Sequence, residues 1–159
     1  MARPKQLIKK ISLGIAFFSI GFVLAVASYS FFRYAIQDLY QWSTGEHIQF
    51  SGKDFFLFGS QIFMLSCGLV FLLFYIANRH TNAVTVFGQA VLLLLVFSIS
   101  IIGISAADAH LKIVECTACD DGILTMSHNA INYRFILTAS ALISIIPSII
   151  RMLRQLKET

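Results

Sequence analysis

Charged residues are absent from four long apolar stretches of this 159-residue chain. No Asp, Glu, Lys, Arg or His lies within residues 11–32, 55–77, 83–107 or 135–150. Proton pumps, ion-coupled transporters and voltage sensors need ionisable side chains at membrane depth, because the charge must be bound or moved there. Haem ligation by two histidines inside a helical bundle is likewise disfavoured. The sequence therefore argues against a stand-alone pump, transporter or bundle cytochrome.

The four apolar stretches are long enough to cross a bilayer. A hydrocarbon core of about 30 Å needs about 20 apolar residues in a helix. Apolar residues make up 57% of the chain, and the remaining segments are too short for a soluble domain of ordinary size. We predict an all-α integral membrane protein, in which residues 1–159 form a single domain of four antiparallel transmembrane helices. The predicted spans are about 11–32, 55–77, 83–107 and 133–153, with outer loops at 33–54 and 108–132.

Basic residues are unevenly distributed among the segments that flank the spans. One set of segments carries Arg3, Lys5, Lys9, Lys10, Arg79, Arg151, Arg154 and Lys157. The other side of the membrane receives only Arg33, Lys53, Lys112 and Arg134, beside the acids Asp38, Glu46, Asp54, Asp108, Glu115, Asp120 and Asp121. Because basic excess marks the cytoplasmic side, both termini are predicted to be cytoplasmic. The net charge of +4 then reflects topology and not a nucleic-acid partner, and a bacterial inner membrane is the expected location.

Small residues at helical spacing predict where the helices pack. Gly21 and Ala25 are four residues apart in the first span, and Ser140, Ser144 and Ser148 recur every four residues in the fourth. Residues at this spacing share one helix face, and small side chains let two backbones approach closely. We expect each face to contact another helix of the same bundle; a seam between copies of the chain is the alternative.

Three other residues within the spans have expected structural roles. Gln61 and Gln89 are expected to form hydrogen bonds between helices, since polar side chains inside a bilayer commonly join helices. Pro147 is expected to bend the fourth helix near its cytoplasmic end.

Aromatic residues open the first outer loop. Tyr34, Tyr40 and Trp42 are predicted to lie at the membrane–water interface, because tyrosine and tryptophan favour the headgroup level. A partner-binding surface formed by the same residues is the alternative.

The second outer loop holds the one cluster of chemically reactive side chains. Cys116 and Cys119 stand in the sequence CTAC, with His110 and His128 on either side. Such a pair can form a disulfide in an oxidising compartment. It can also bind zinc together with the two histidines, or exchange electrons by thiol–disulfide exchange.

A CTAC motif on an outer loop of a four-span protein resembles the quinone-linked disulfide oxidases and the vitamin K epoxide reductase family. That resemblance implies a four-helix membrane enzyme in which Cys116 and Cys119 exchange electrons with a quinone. Members of those families relay electrons through a second cysteine pair. In this chain the first outer loop has no cysteine, and Cys67 lies near the middle of the second span.

The favoured functional hypothesis is a non-catalytic membrane protein that acts by contact and needs no cofactor. It would be an accessory subunit of a membrane complex, or an immunity-type protein that blocks a pore-forming toxin. Its expected partners are the lipid bilayer and another membrane protein or a second copy of itself. A quinone-linked thiol–disulfide enzyme and a zinc-binding loop are the two alternatives.

Overall fold

The computed structural model describes residues 4–51, 59–79, 81–115 and 123–157, most of which are helical. The helices are α1 (Pro4–Thr44), α2 (Gln61–Asn78), α3 (Ala83–Glu115), α4 (Tyr133–Ser144) and α5 (Ile146–Lys157). Two short strands, β1 (Ile48–Ser51) and β2 (Leu124–Ser127), follow α1 and α3. Single 3₁₀ turns occupy Gly45–His47 and His128–Ala130.

Four helical segments are long and apolar enough to cross a membrane, as the sequence predicts. They are Ile8–His47, Gln61–Asn78, Ala83–Glu115 and Tyr133–Arg154, the last of which combines α4 with most of α5. A helix suits such apolar sequences because it satisfies its backbone hydrogen bonds internally, which a bilayer interior requires.

Two helices extend well beyond the predicted spans. α1 continues through Thr44 and α3 continues through Glu115, so the first part of each predicted outer loop is helical. Neither extension contains glycine or proline, and in α1 the side chains of Ile36 and Tyr40, four residues apart, are both fully buried. Burial of that helix face explains why the helix continues after the apolar run ends. Gly45, with φ +58°, then ends α1 in the left-handed conformation that glycine favours.

α1 and α2 pack closely through glycines. A Cβ atom on Gly21 would lie 2.6 Å from the carbonyl oxygen of Cys67 and 2.8 Å from Cγ of Phe71. On α2, a Cβ atom on Gly68 would lie 2.8 Å from the ring of Phe18. Gly21 thus permits an approach to the backbone of α2 that a larger residue would prevent, and Gly68 leaves room for the ring of Phe18.

The helix of the fourth span is interrupted at Ile145. Pro147 has no N–H group, so it cannot donate the helical hydrogen bond to the carbonyl of Ile143. That carbonyl instead accepts a hydrogen bond from the N–H of Ile145. The bend that the sequence predicts at Pro147 is thus a break between α4 and α5.

The two strands form a parallel pair, which the all-α prediction did not include. Ile48 pairs with Leu124 and Ser51 pairs with Ser127. Because β1 follows α1 and β2 follows α3, this pairing brings the C-terminal ends of α1 and α3 to the same end of the molecule. We call this end the cap, defined as residues 33–51, 108–115 and 123–133.

Candidate functional site

The predicted cysteine site lies outside the described residues. Cys116 and Cys119 fall between the end of α3 and the start of β2, so the disulfide, zinc and redox hypotheses remain predictions. Cys67, which is described, is a free cysteine in α2. Among the residues with described positions, no group of three or more His, Cys, Asp or Glu side chains is arranged to hold a metal ion.

The two histidines of the zinc hypothesis occupy different surroundings. His110 is exposed on α3. His128 is half-buried in the 3₁₀ turn after β2, where its ring stacks on Phe50 with centroids 4.6 Å apart and planes inclined by 12°. The stacking joins the β1 segment to the turn that leads into α4.

A buried arginine forms the centre of the cap. The Arg33 side chain is only 4% exposed, although it directly follows the apolar run of the first span. Its Nη2 donates a hydrogen bond of 2.6 Å to Oδ1 of Asn129, and its guanidinium carbon lies 4.4 Å from the centre of the Tyr133 ring. A buried charge is costly unless hydrogen bonds and neighbouring groups compensate for the lost water. The amide oxygen and the electron-rich face of the ring provide that compensation here.

The Tyr133 hydroxyl connects three segments of the cap. It accepts a hydrogen bond of 2.9 Å from Nε2 of Gln37 on α1, and it donates one of 2.8 Å to the carbonyl of His128. Gln37 and Tyr133 are both buried. These hydrogen bonds connect the beginning of α4 to α1 and to the turn that follows β2.

A second polar contact joins α1 to α3. The hydroxyl of Tyr40, which is fully buried, donates a hydrogen bond to the carboxylate of Asp108. Of the three residues predicted at the membrane interface, Tyr34 and Trp42 are exposed, by 55% and 76% respectively. Tyr40 instead faces the interior, because it shares the buried helix face of Ile36.

Known proteins do not supply a family for this arrangement. A scan against models of protein families, a search of curated proteins and a search of solved structures each found no match. Evidence for function therefore comes from the residues themselves.

The predicted packing residues of the first and fourth spans lie inside the helix assembly. Gly21 is buried, Ala25 is 2% exposed, and the side chains of Ser140, Ser144 and Ser148 are 3% exposed or less. The Ser144 hydroxyl donates to the carbonyl of its own helix at Ala141, over 2.7 Å. This serine face thus packs against other helices of the same chain.

One polar contact between helices involves this serine face. The Ser148 hydroxyl donates a hydrogen bond of 3.2 Å to Oε1 of Gln89 on α3. Gln61, by contrast, is exposed at the start of α2.

An apolar cavity of about 160 Å³ lies between the four helical segments. Its walls include Phe32, Phe63, Phe71 and Phe97, and Cys67 also lines it. With almost no polar surface, this cavity is suited to a small apolar group and not to an ion or a sugar.

The sequence contains a weak signal for the buried polar cluster of the cap. Arg33 and Gln37 are four residues apart and lie on the same helical face as Ile36 and Tyr40. If the helical periodicity is continued past Arg33, it predicts that Arg33 and Gln37 lie on a buried helix face. Its partners Asn129 and Tyr133 are too distant in sequence to be found by local patterns.

Proposed function

We propose that this protein is an antiparallel four-span membrane protein, with both termini in the cytoplasm, that acts without catalysis by binding another membrane protein through its cap. A Cβ atom on Gly14 would meet Leu72 and one on Gly21 would meet Cys67, which supports opposite directions for α1 and α2. The parallel pairing of β1 and β2 supports a common direction for α1 and α3. The basic residues beside the other ends of these helices support a cytoplasmic position for both termini.

The observation that carries the contact function is that the cap is held together by buried polar contacts while large apolar side chains on it remain exposed. Trp42 on α1 is 76% exposed, and Leu111 and Val114 on α3 are 60% and 79% exposed. All three lie beyond the predicted spans, where lipid tails do not explain an exposed apolar side chain. We propose that these side chains form one exposed apolar patch, because contiguous patches of this kind mark protein interaction surfaces.

The partner would be an integral membrane protein whose own outer segments reach this surface. An accessory subunit would hold such a partner permanently, and an immunity-type protein would bind a pore-former when it arrives. Both forms need the same cap surface, so one experiment tests the shared part of the proposal.

Site-specific photocross-linking in intact membranes tests it. A photoreactive phenylalanine analogue placed at Val114 should give an adduct of one discrete mass. The same analogue at Val84 is the matched control, because Val84 is 81% exposed but begins α3 at its other end. Leu111→Asp should abolish the Val114 adduct without changing the amount of protein in the membrane. Equal adduct patterns at Val84 and Val114, or none at either, would contradict a contact function for the cap.

A second candidate function is thiol–disulfide exchange by Cys116 and Cys119, and the aromatic-lined cavity favours it. An apolar electron carrier such as a quinone needs a site of that kind within the bilayer. Oxidation of the two thiols to a disulfide would release two electrons and two protons, which would reduce the quinone to a quinol.

Trapping experiments separate this candidate from the first. Cys116→Ser should accumulate a mixed disulfide with a partner, and quinone depletion should shift the cysteine pair toward thiols. Unchanged partner oxidation in the Cys116→Ser, Cys119→Ser double variant would exclude the enzyme.

A further inference from the structure

A groove of about 420 Å³ lies between α1 and α3 at the cap end of the molecule. Its α1 wall extends from Phe31 to Trp42, which is about 16 Å along the helix. Leu39 and Ile102 also line it. The groove starts within the predicted spans and continues beyond them, so a partner that fills it must cross the membrane boundary.

One charged side chain lines this groove. Asp38 is exposed, and it forms no hydrogen bond or ion pair with the residues that the structure describes. Trp42 follows one helical turn later on the same face and is 76% exposed. A carboxylate beside an exposed indole ring attracts a cation, both by its charge and by the electron-rich face of the ring.

The exposed charge on the described part of the cap is acidic. Every acidic residue with a described position lies there: Asp38, Glu46, Asp108 and Glu115. Of the basic residues in the same part, Arg33 is buried and Lys112 is half-buried. Glu115 directly follows Val114, one of the exposed apolar residues of the cap. The cap thus presents carboxylates beside apolar side chains, which is complementary to a segment that is both basic and apolar.

We propose that the groove between α1 and α3 binds a cationic amphipathic helix of the partner membrane protein. The apolar face of that helix fills the groove, and one of its lysine or arginine side chains pairs with Asp38 beside Trp42. This inference rests on the proposed contact function of the cap and adds the chemistry of the partner. Resident membrane proteins carry few basic residues on their outer segments. A cationic partner therefore favours a pore-former that arrives from outside, which is the immunity-type form of the proposal.

Photocross-linking to a defined peptide tests the site. The full-length protein is placed in phosphatidylcholine nanodiscs with a photoreactive phenylalanine analogue at Phe31. The probe is an amphipathic helical peptide made of leucine and lysine. An adduct should form at Phe31 but not with the same analogue at Phe135, which is 56% exposed and lines a different groove. The same peptide with glutamine in place of lysine should give little adduct at either position.

Substitutions of acidic residues locate the charge that matters. Asp38→Asn should lower the yield of the Phe31 adduct about threefold, as expected for one exposed ion pair. Asp38→Glu should keep the yield. Glu46→Gln is the matched control, since Glu46 is exposed in the cap but does not line the groove.

The contrary results are distinct. Equal adducts at Phe31 and Phe135 would show attachment to the lipid surface and would overturn the site. Equal losses in Asp38→Asn and Glu46→Gln, or equal adducts with the lysine and glutamine peptides, would overturn the cationic assignment. The Val114 adduct in intact membranes separates these failures from a failure of the contact function. If that adduct forms while the peptide test fails, the cap binds a partner of other chemistry; if neither forms, the proposed function itself is wrong.

Discussion

Replacement of Gly21 by alanine should weaken the seam between α1 and α2. The added Cβ would lie 2.6 Å from the carbonyl oxygen of Cys67, whereas ordinary contact begins at 3.4 Å. The obstacle is a backbone atom, so rotation of a side chain cannot relieve it, and the helices must separate by about 0.8 Å locally. Forced overpacking of this kind costs about 1–3 kcal/mol.

Two other glycines provide matched controls for this prediction. A Cβ atom on Gly88 or Gly103 would meet no atom within 4 Å. Alanine at these positions of α3 should be neutral or should stabilise the helix by up to about 1 kcal/mol, because alanine is the better helix former. Gly68→Ala should cost less than Gly21→Ala, since the atoms it meets belong to the movable ring of Phe18.

The free energy of unfolding is measured by titrating each variant with sodium dodecyl sulfate in mixed micelles and following helix content by circular dichroism. Gly21→Ala should unfold at a lower detergent fraction than the wild type, and Gly103→Ala should not. If Gly21→Ala and Gly103→Ala had the same unfolding free energy, α1 and α2 would not be in close contact at this position.

Two further predictions use the same unfolding assay. Tyr133→Phe removes the two hydrogen bonds of the hydroxyl but keeps the ring beside Arg33, so it should cost about 1–3 kcal/mol, and Tyr133→Leu should cost more. Equal losses in the two variants would show that the ring contact with Arg33 contributes nothing. Ser148→Ala removes the hydrogen bond to Gln89 and should cost only about 0.6 kcal/mol, the average for such contacts in membranes. A loss above about 2 kcal/mol would contradict this. The Ser148→Ala, Gln89→Leu double variant should lose less than the sum of the two single losses, because each single change already removes the same hydrogen bond.

Local sequence determined the helical class and the number of segments long enough to cross a membrane. Residues 11–32 and 83–107 contain no charge, and a helix is the conformation that satisfies the backbone of such a segment in an apolar environment. Composition and length alone decide this conformation, whatever the neighbouring segments are. The end of α1 differs from the predicted one because the apolar run ends at Phe32, whereas the helix continues to Thr44 and stops before Gly45, where the conformation of the backbone changes.

The tertiary structure decided what the cap residues do. The sequence pattern indicated that Arg33 is a charge flanking the first span and that Tyr40 lies at the membrane–water interface, yet both side chains are buried. Arg33 contacts Asn129 and Tyr133, and Tyr40 contacts Asp108, so these partners are 68 to 100 residues away along the chain. The pairing of β1 with β2 likewise joins strands separated by two helices. Periodicity and charge patterns report only on near neighbours, so contacts of this range are fixed when the helices pack and bring their ends together.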